Sequence, residues 1–372
     1  MNTNGSGPSG INLTSNNHFI GDYLTHYLTR GQSVGLTIVA EASLASLLAV
    51  LYVFVIISRN VAWRVRNSPT NRWQVFYTPM DLLMFSLFSA DLLQAIGGVM
   101  NLKWINDGKV QVGDFCSAQG ILKQLGETGV AITTLLITLY TFLGIWLGKA
   151  IRSMKITRAV LSAAWLCIVL VVITGNAVNR GPNRMPFISP TPYWCWIGQS
   201  YIHWRIWGEY FWLWITLGFS IVAYVPLWLW SRGNIILDDH SWWKFTLQHA
   251  DMDADPVLRG LRRRSLMMLA YPFAYCISTL PLSIVRWIGF VEGPSNISST
   301  ATLIVDTMFN LSGTFNVVLL LTTRPDSVLF GKQAHIPLGH ALRPVQLALH
   351  SEGIQSIRRD DDTELGKLPS RS

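Results

Sequence analysis

The sequence is poor in charge. Only 13% of its 372 residues are Asp, Glu, Lys or Arg, against about 25% in a soluble domain. An ordinary water-soluble globule is therefore excluded. Cysteine is scarce as well: there are four, and no CxxC occurs. That excludes zinc ribbons and thioredoxin-like redox sites. The polarity needed for long disorder is also missing, because half of the chain is hydrophobic. What the chain has instead is tryptophan, 16 of them, and long apolar runs.

Seven runs are long enough to cross a bilayer as helices. They cover roughly 34–58, 75–101, 116–147, 157–178, 207–230, 265–290 and 300–322. The expected fold is an all-α membrane protein, a seven-transmembrane helix bundle over 34–322. Residues 1–33 form a polar N-terminal tail and 323–372 a polar C-terminal tail. The first 33 residues carry neither a charged n-region nor a cleavable apolar core, so no signal peptide is expected. Trp63, Trp73, Trp104, Trp204, Trp207, Trp228, Trp230 and Trp287 cluster at span ends, where an interfacial belt forms.

Lys and Arg set the orientation. Arg59, Arg64, Arg66 and Arg72 follow the first span, and Lys149, Arg152, Lys155 and Arg158 follow the third. Residues 231–264 hold six, ending in Arg262-Arg263-Arg264, and the tail from 323 holds seven. That is 21 on one side against seven on the other. The N-terminus is expected outside and the C-terminus in the cytosol of a plasma-membrane, multi-pass protein. The net charge of +8 is thus a positive-inside signal, and no nucleic-acid partner is expected. Three sequons, at Asn4, Asn12 and Asn296, fall on the expected outside.

Cys116 tops the third span and Cys195 lies in the loop between the fourth and fifth. Both face the oxidising side, so a disulfide is expected. Cys167 and Cys276 are mid-span packing residues.

Seven spans, an external N-terminus and this cysteine pair resemble the layout of G-protein-coupled receptors. The run Tyr193-Trp194-Cys195-Trp196-Ile197, before a Trp- and Tyr-rich fifth span, looks like the slime-mould cyclic-AMP receptor family and the related fungal nutrient- and glucose-sensing receptors. Ser89-Ala90-Asp91-Leu92-Leu93 resembles the Asp-containing motif of the second span in many receptors. The resemblance covers roughly residues 34–330. Two features depart from rhodopsin-like receptors. The third span ends Thr141-Phe142-Leu143-Gly144-Ile145-Trp146 without Asp-Arg-Tyr, and the seventh reads Asn316-Val317-Val318-Leu319-Leu320 without Asn-Pro-x-x-Tyr. The switches of that class do not carry over.

Ionisable residues inside a membrane are functional candidates, because placing them there is costly. Lys123 lies two turns below Cys116, with Glu127 one turn further on the same face. Arg205 and Glu209 repeat that spacing in the fifth span, and Arg286 and Asp306 lie near the ends of the sixth and seventh. With Trp194 and Trp196 they suggest a charged pocket in which Lys123, Arg205 and Arg286 hold a phosphate or carboxylate. The simpler reading is that the i,i+4 pairs neutralise each other. Asp91, Asn310 and Asn316 are expected to form a polar core that rearranges, holds an ion, or merely joins helices. Asp81, after Pro79, reads as a helix N-terminal charge.

Pro272 and Pro281 should interrupt and kink the sixth span. By resemblance, its swing opens a cytosolic cleft. Lys149, Arg152, Lys155, Arg259, Arg262, Arg263 and Arg264 would meet the Gα subunit of a heterotrimeric G protein there.

Other functions fit less well. A retinal protein needs a Lys in the seventh span, and 300–322 has none. A membrane zinc hydrolase needs converging His, but the eight His lie in tails, loops or a span margin. An enzyme, a cofactor and a metal are therefore not expected. A transporter, the alternative, usually shows two related halves, and none are visible. The expectation is a receptor in the lipid bilayer that binds an extracellular small molecule and promotes nucleotide exchange on a G protein.

Overall fold

The computed structural model describes residues 24–67, 76, 78–146, 153–179, 181, 184–231, 235–238, 241–247, 256–292 and 297–323. Seven helices are long and apolar enough to cross a membrane. The first span is Arg30–Asn67, the second Pro79–Val99 and the third Asp114–Trp146. The fourth is Met154–Val178, the sixth Pro256–Val291 and the seventh Ser299–Thr323. The fifth is composite: a 3₁₀ turn Gln199–Tyr201, an α-turn Ile202–Arg205, a π-turn Ile206–Tyr210 and an α-helix Phe211–Ser231.

The helix starts have local causes. Thr29 and Gln32 exchange side-chain and backbone hydrogen bonds of 3.0 and 3.3 Å, a capping box that opens the first span. Thr78 and Asp81 do the same for the second, with Pro79 in its first turn. Asp81 is thus a capping residue, as its position implied. Ser153 and Ser298 accept from Ile156 N and Ala301 N at the starts of the fourth and seventh. These caps set the helix starts, and several helices outrun the apolar stretches. The first begins at residue 30 and ends at 67, and the sixth begins at 256.

Three details add to the expected seven-helix bundle. Short antiparallel strand pairs lie outside the spans: β1 (Thr25–Tyr27) with β2 (Lys109–Gln111), β3 (Ile188–Pro190) with β4 (Cys195–Ile197), and β5 (Ile235–Asp238) with β6 (Ser241–Leu247). The second span continues past Met100 into a short helix, Asn101–Asp107. The sixth span runs through Pro272 and Pro281 as one helix. Each proline removes one ladder donor, a loss that helices packed in a membrane bundle tolerate.

The third span is central, with 67% of its apolar window buried, and the fourth is peripheral at 22%. Gly126 lets the second and third cross closely, because a Cβ there would run into the Gln94 backbone. Large apolar residues point outward, among them Val34, Ile173, Val222 and Val291. Such a surface suits lipid and not water. Leu87, Phe88, Val130, Leu213, Tyr271 and Phe309 belong to the mid-bundle core. A second apolar cluster gathers at the disulfide end around Leu36, Trp104, Cys116, Trp194, Trp196 and Leu303.

Candidate functional site

The site begins with its roof. A disulfide joins Cys116 to Cys195 across 79 residues. It fastens β3 and β4, whose register sets Pro190 opposite Cys195 and Ser189 opposite Trp196. Gln119, one turn below Cys116, adds a second bolt. Its Oε1 accepts from Cys195 N at 3.0 Å and from Trp104 Nε1 at 2.7 Å. Its Nε2 donates to Asn101 Oδ1 at 2.7 Å and Gly97 O at 3.1 Å. One buried amide thus ties the loop to the second and third spans. Sequence reasoning missed Gln119, although a Gln three residues after the bridging cysteine shares its helical face.

The roof holds Trp194 and Trp196 fully inward. Cations stack beneath them. Lys123 Nζ and the Arg286 guanidinium each lie 5.0 Å from the Trp194 ring centre, and the Arg205 guanidinium lies 4.8 Å from that of Trp196. A cation over an indole face is attracted by the ring quadrupole, more so when desolvated. Gly97 makes room for Lys123: a Cβ there would meet the Lys123 side chain at 2.8 Å.

Carboxylates complete the cluster. Lys123 Nζ lies 3.1 Å from Glu127 Oε1. Glu209 accepts from Trp196 Nε1 at 2.8 Å and lies beside Glu127. Asp306 faces Lys123 and Arg286 and takes Asn310 Nδ2 at 3.1 Å. All eight expected pocket residues meet here. The formal charges balance, with Lys123, Arg205 and Arg286 against Glu127, Glu209 and Asp306, so the cations do not form a bare anion hole.

The two i,i+4 pairs differ. Lys123 and Glu127 sit on regular α-helix and pair directly. Between Arg205 and Glu209 the backbone is the π-turn Ile206–Tyr210, which rotates the face. Arg205 Nε donates to Ile197 O at 2.7 Å, and Trp196 bridges Arg205 to Glu209. Unspent hydrogen-bonding capacity remains around the cluster. Both amide atoms of Gln124, Ser283 Oγ and Arg286 Nε are buried without a hydrogen-bond partner among the described residues. Such groups call for a ligand or water.

The expected polar core divides in two. Asn316 Nδ2 donates to Asp91 Oδ2 at 2.9 Å. Asn310 turns away, to Asp306 on its own helix and to Ser43 Oγ at 3.1 Å in the first span. Residues six apart on a helix do not share a face, which separates the two asparagines. The seventh span is interrupted at Leu311. Ser46 Oγ donates to Asn310 O at 2.6 Å and Gln94 Nε2 to Phe309 O at 3.3 Å, satisfying carbonyls at that break.

The expected G-protein contacts are not gathered in this site. Lys155 is exposed at the start of the fourth span. Arg259, Arg262, Arg263 and Arg264 lie on the polar extension of the sixth. Lys149, Arg152 and the sequon residues Asn4, Asn12 and Asn296 lie outside the described residues. No family model matches the chain, and no curated protein matches it.

At the disulfide end, β1 lies over the roof. His26 packs edge-on to Tyr193 at 6.0 Å, and Tyr193 OH is 2.7 Å from Ser299 Oγ. Burial holds the His26 imidazole below its ordinary pKa, partly opposed by Gln32.

Proposed function

We propose that this chain is a cell-surface receptor of the G-protein-coupled type, in the group that its loop motif resembles, the slime-mould cyclic-AMP and fungal nutrient receptors. The N-terminus and the tryptophan roof face outside. The basic loops 148–158 and 231–264, with the sixth-span extension, face the cytosol and a Gα subunit. The observation that carries this reading is the buried cluster of six ionisable side chains beneath a disulfide-pinned loop. A membrane protein that only needed stability would not bury six ionisable groups. Gln124, Ser283 and Arg286 supply the donors and acceptors that a small polar ligand would use. A ligand with different affinity for two arrangements of the bundle shifts the population between them. Its carboxylate or phosphate would compete with Glu127 for Lys123. No bond is made or broken by the receptor.

The test is nucleotide exchange on purified Gα, with the receptor in lipid discs and with fractionated nutrient extracts. Accelerated exchange, lost in Lys123→Gln, is the expected result. Folded, correctly oriented protein that drives exchange on no Gα would sink the reading. One feature favours a transporter instead: the seventh span is interrupted at mid-depth beside the charged cluster, as in proteins that carry solutes across. Concentrative uptake of a labelled solute into proteoliposomes separates the two.

A further inference from the structure

Every charge in the cluster points into the bundle. Glu41 does not. It sits in the first span, exposed, about 10 Å along the helix from Val34 at 1.5 Å per residue. Ser43, two residues on, reaches Asn310, so Glu41 lies near the depth of the charged cluster but on the opposite face of its helix. No hydrogen bond or ion pair to Glu41 is found among the described residues. A carboxyl group facing hydrocarbon demands a polar partner within the membrane.

The residues around it say what kind of partner. Ile38, Glu41, Ala45, Leu48, Tyr52 and Val55 are all exposed, and their spacing alternates three and four. That is the 3.5-residue repeat by which two helices pack in a left-handed pair. Ala45, next along the stripe from Glu41, is small enough to let backbones approach. The exposed face of the first span therefore has the pattern of a helix–helix seam, with one polar residue set in it.

We propose that this seam pairs with the same seam of a second copy, and that Glu41 meets its counterpart on the two-fold axis. A symmetric pair brings each residue against its equivalent, so the surface must be complementary to itself. A carboxylic acid is: in its protonated form it has one donor and one acceptor, and two such groups satisfy each other. A helix bearing a cation is the other chemistry that fits. A second copy does not supply one, because its cations at this depth are turned inward: Lys123 and Arg205 are buried and Arg286 stacks on the Trp194 and Trp196 rings. The proposal is independent of what the receptor binds.

The experiment is single-molecule photobleaching of the labelled full-length chain in liposomes, diluted over a series of protein-to-lipid ratios. Cys167 and Cys276 are replaced by Ala throughout, and formation of the Cys116–Cys195 bond confirms folding. Wild type is expected to dimerise reversibly. Glu41→Leu should weaken the dimer about tenfold or more, and Glu41→Gln, which keeps a donor and an acceptor, should retain it. Ala45→Cys should cross-link across the dimer, and Ala42→Cys, at a buried position, should not. A wild type that stays monomeric at every dilution overturns the proposal and leaves a cationic partner helix as the occupant. So does a Glu41→Leu dimer as strong as the wild type.

Discussion

Two polar regions lie in the bundle, and they are built differently. Beneath the roof, six charges are balanced among themselves and pressed against indoles, while Gln124 and Ser283 are left with unspent hydrogen-bonding capacity. At mid-depth, Asp91 with Asn316, and Asn310 with Ser43 and Ser46, form two small sets made chiefly of amides and hydroxyls that bond one another or free carbonyls, with Asp91 Oδ1 and Gln94 Oε1 left over. The first region keeps polar groups in reserve. The second spends most of its groups on joining the first, second and seventh spans. A buried network with its partners made stabilises a particular packing, whereas one with partners missing is costly unless something occupies it. The contrast teaches that burial of polar groups alone is a poor guide to a binding site; where the hydrogen bonding is left unfinished is the better one.

The contrast can be broken at several points. The largest effect is expected from Lys123→Gln. It should abolish the response to an anionic ligand while surface level stays normal, because the Gln amide can still donate to Glu127. A dose–response curve unchanged in that variant would remove Lys123 from the pocket. Next comes the roof. Cys116→Ser should cost about 2–5 kcal/mol, read as a lower thermal midpoint in lipid discs, with the ligand response lost as well. The mid-depth seam should behave in the opposite way. Asn316→Leu leaves Asp91 Oδ2 unpaired and should cost about 1–3 kcal/mol, whereas Asp91→Asn should be nearly neutral. If Asn316→Leu instead abolished signalling at full stability, the seam would be a switch and the distinction would fail.

The smallest effect lies at the strap over the roof. His26 is held below its ordinary value near 6.5, so its docked form favours the neutral ring. The undocked strap then binds more protons as pH falls below about 6.5, and docking weakens there. Protection of the β1–β2 amides, corrected for the intrinsic pH dependence of exchange, should fall on acidification in the wild type. In His26→Phe it should be flat with pH, and a persisting pH dependence would assign the effect to another group.

Much of this was legible in the residues. The spans follow from apolar runs that only a bilayer accommodates, and the disulfide from two cysteines expected on one oxidising side. Asp81 was readable as a helix-start residue because Thr78, Pro79 and Asp81 form a local signature. The six ionisable residues beneath the roof were readable one by one, since each lies inside an apolar run. Glu41 had the same signal, and its meaning appears only with its exposure.

What chain order alone determines here is local. Apolar length sets the helices, capping residues set where several begin, and charge bias in the loops sets an expected orientation. Long-range packing decided the rest. The same four-residue spacing gave a direct pair at Lys123–Glu127 and a Trp196-bridged one at Arg205–Glu209, because the fifth span winds through a π-turn. Asn310 and Asn316 parted company because their helix turns them to different neighbours. Gln119 became a bolt only when the disulfide brought Cys195 over it. Each of these depends on which backbone faces which. That is settled by contacts between residues far apart in the chain, where spacing along one helix carries no information.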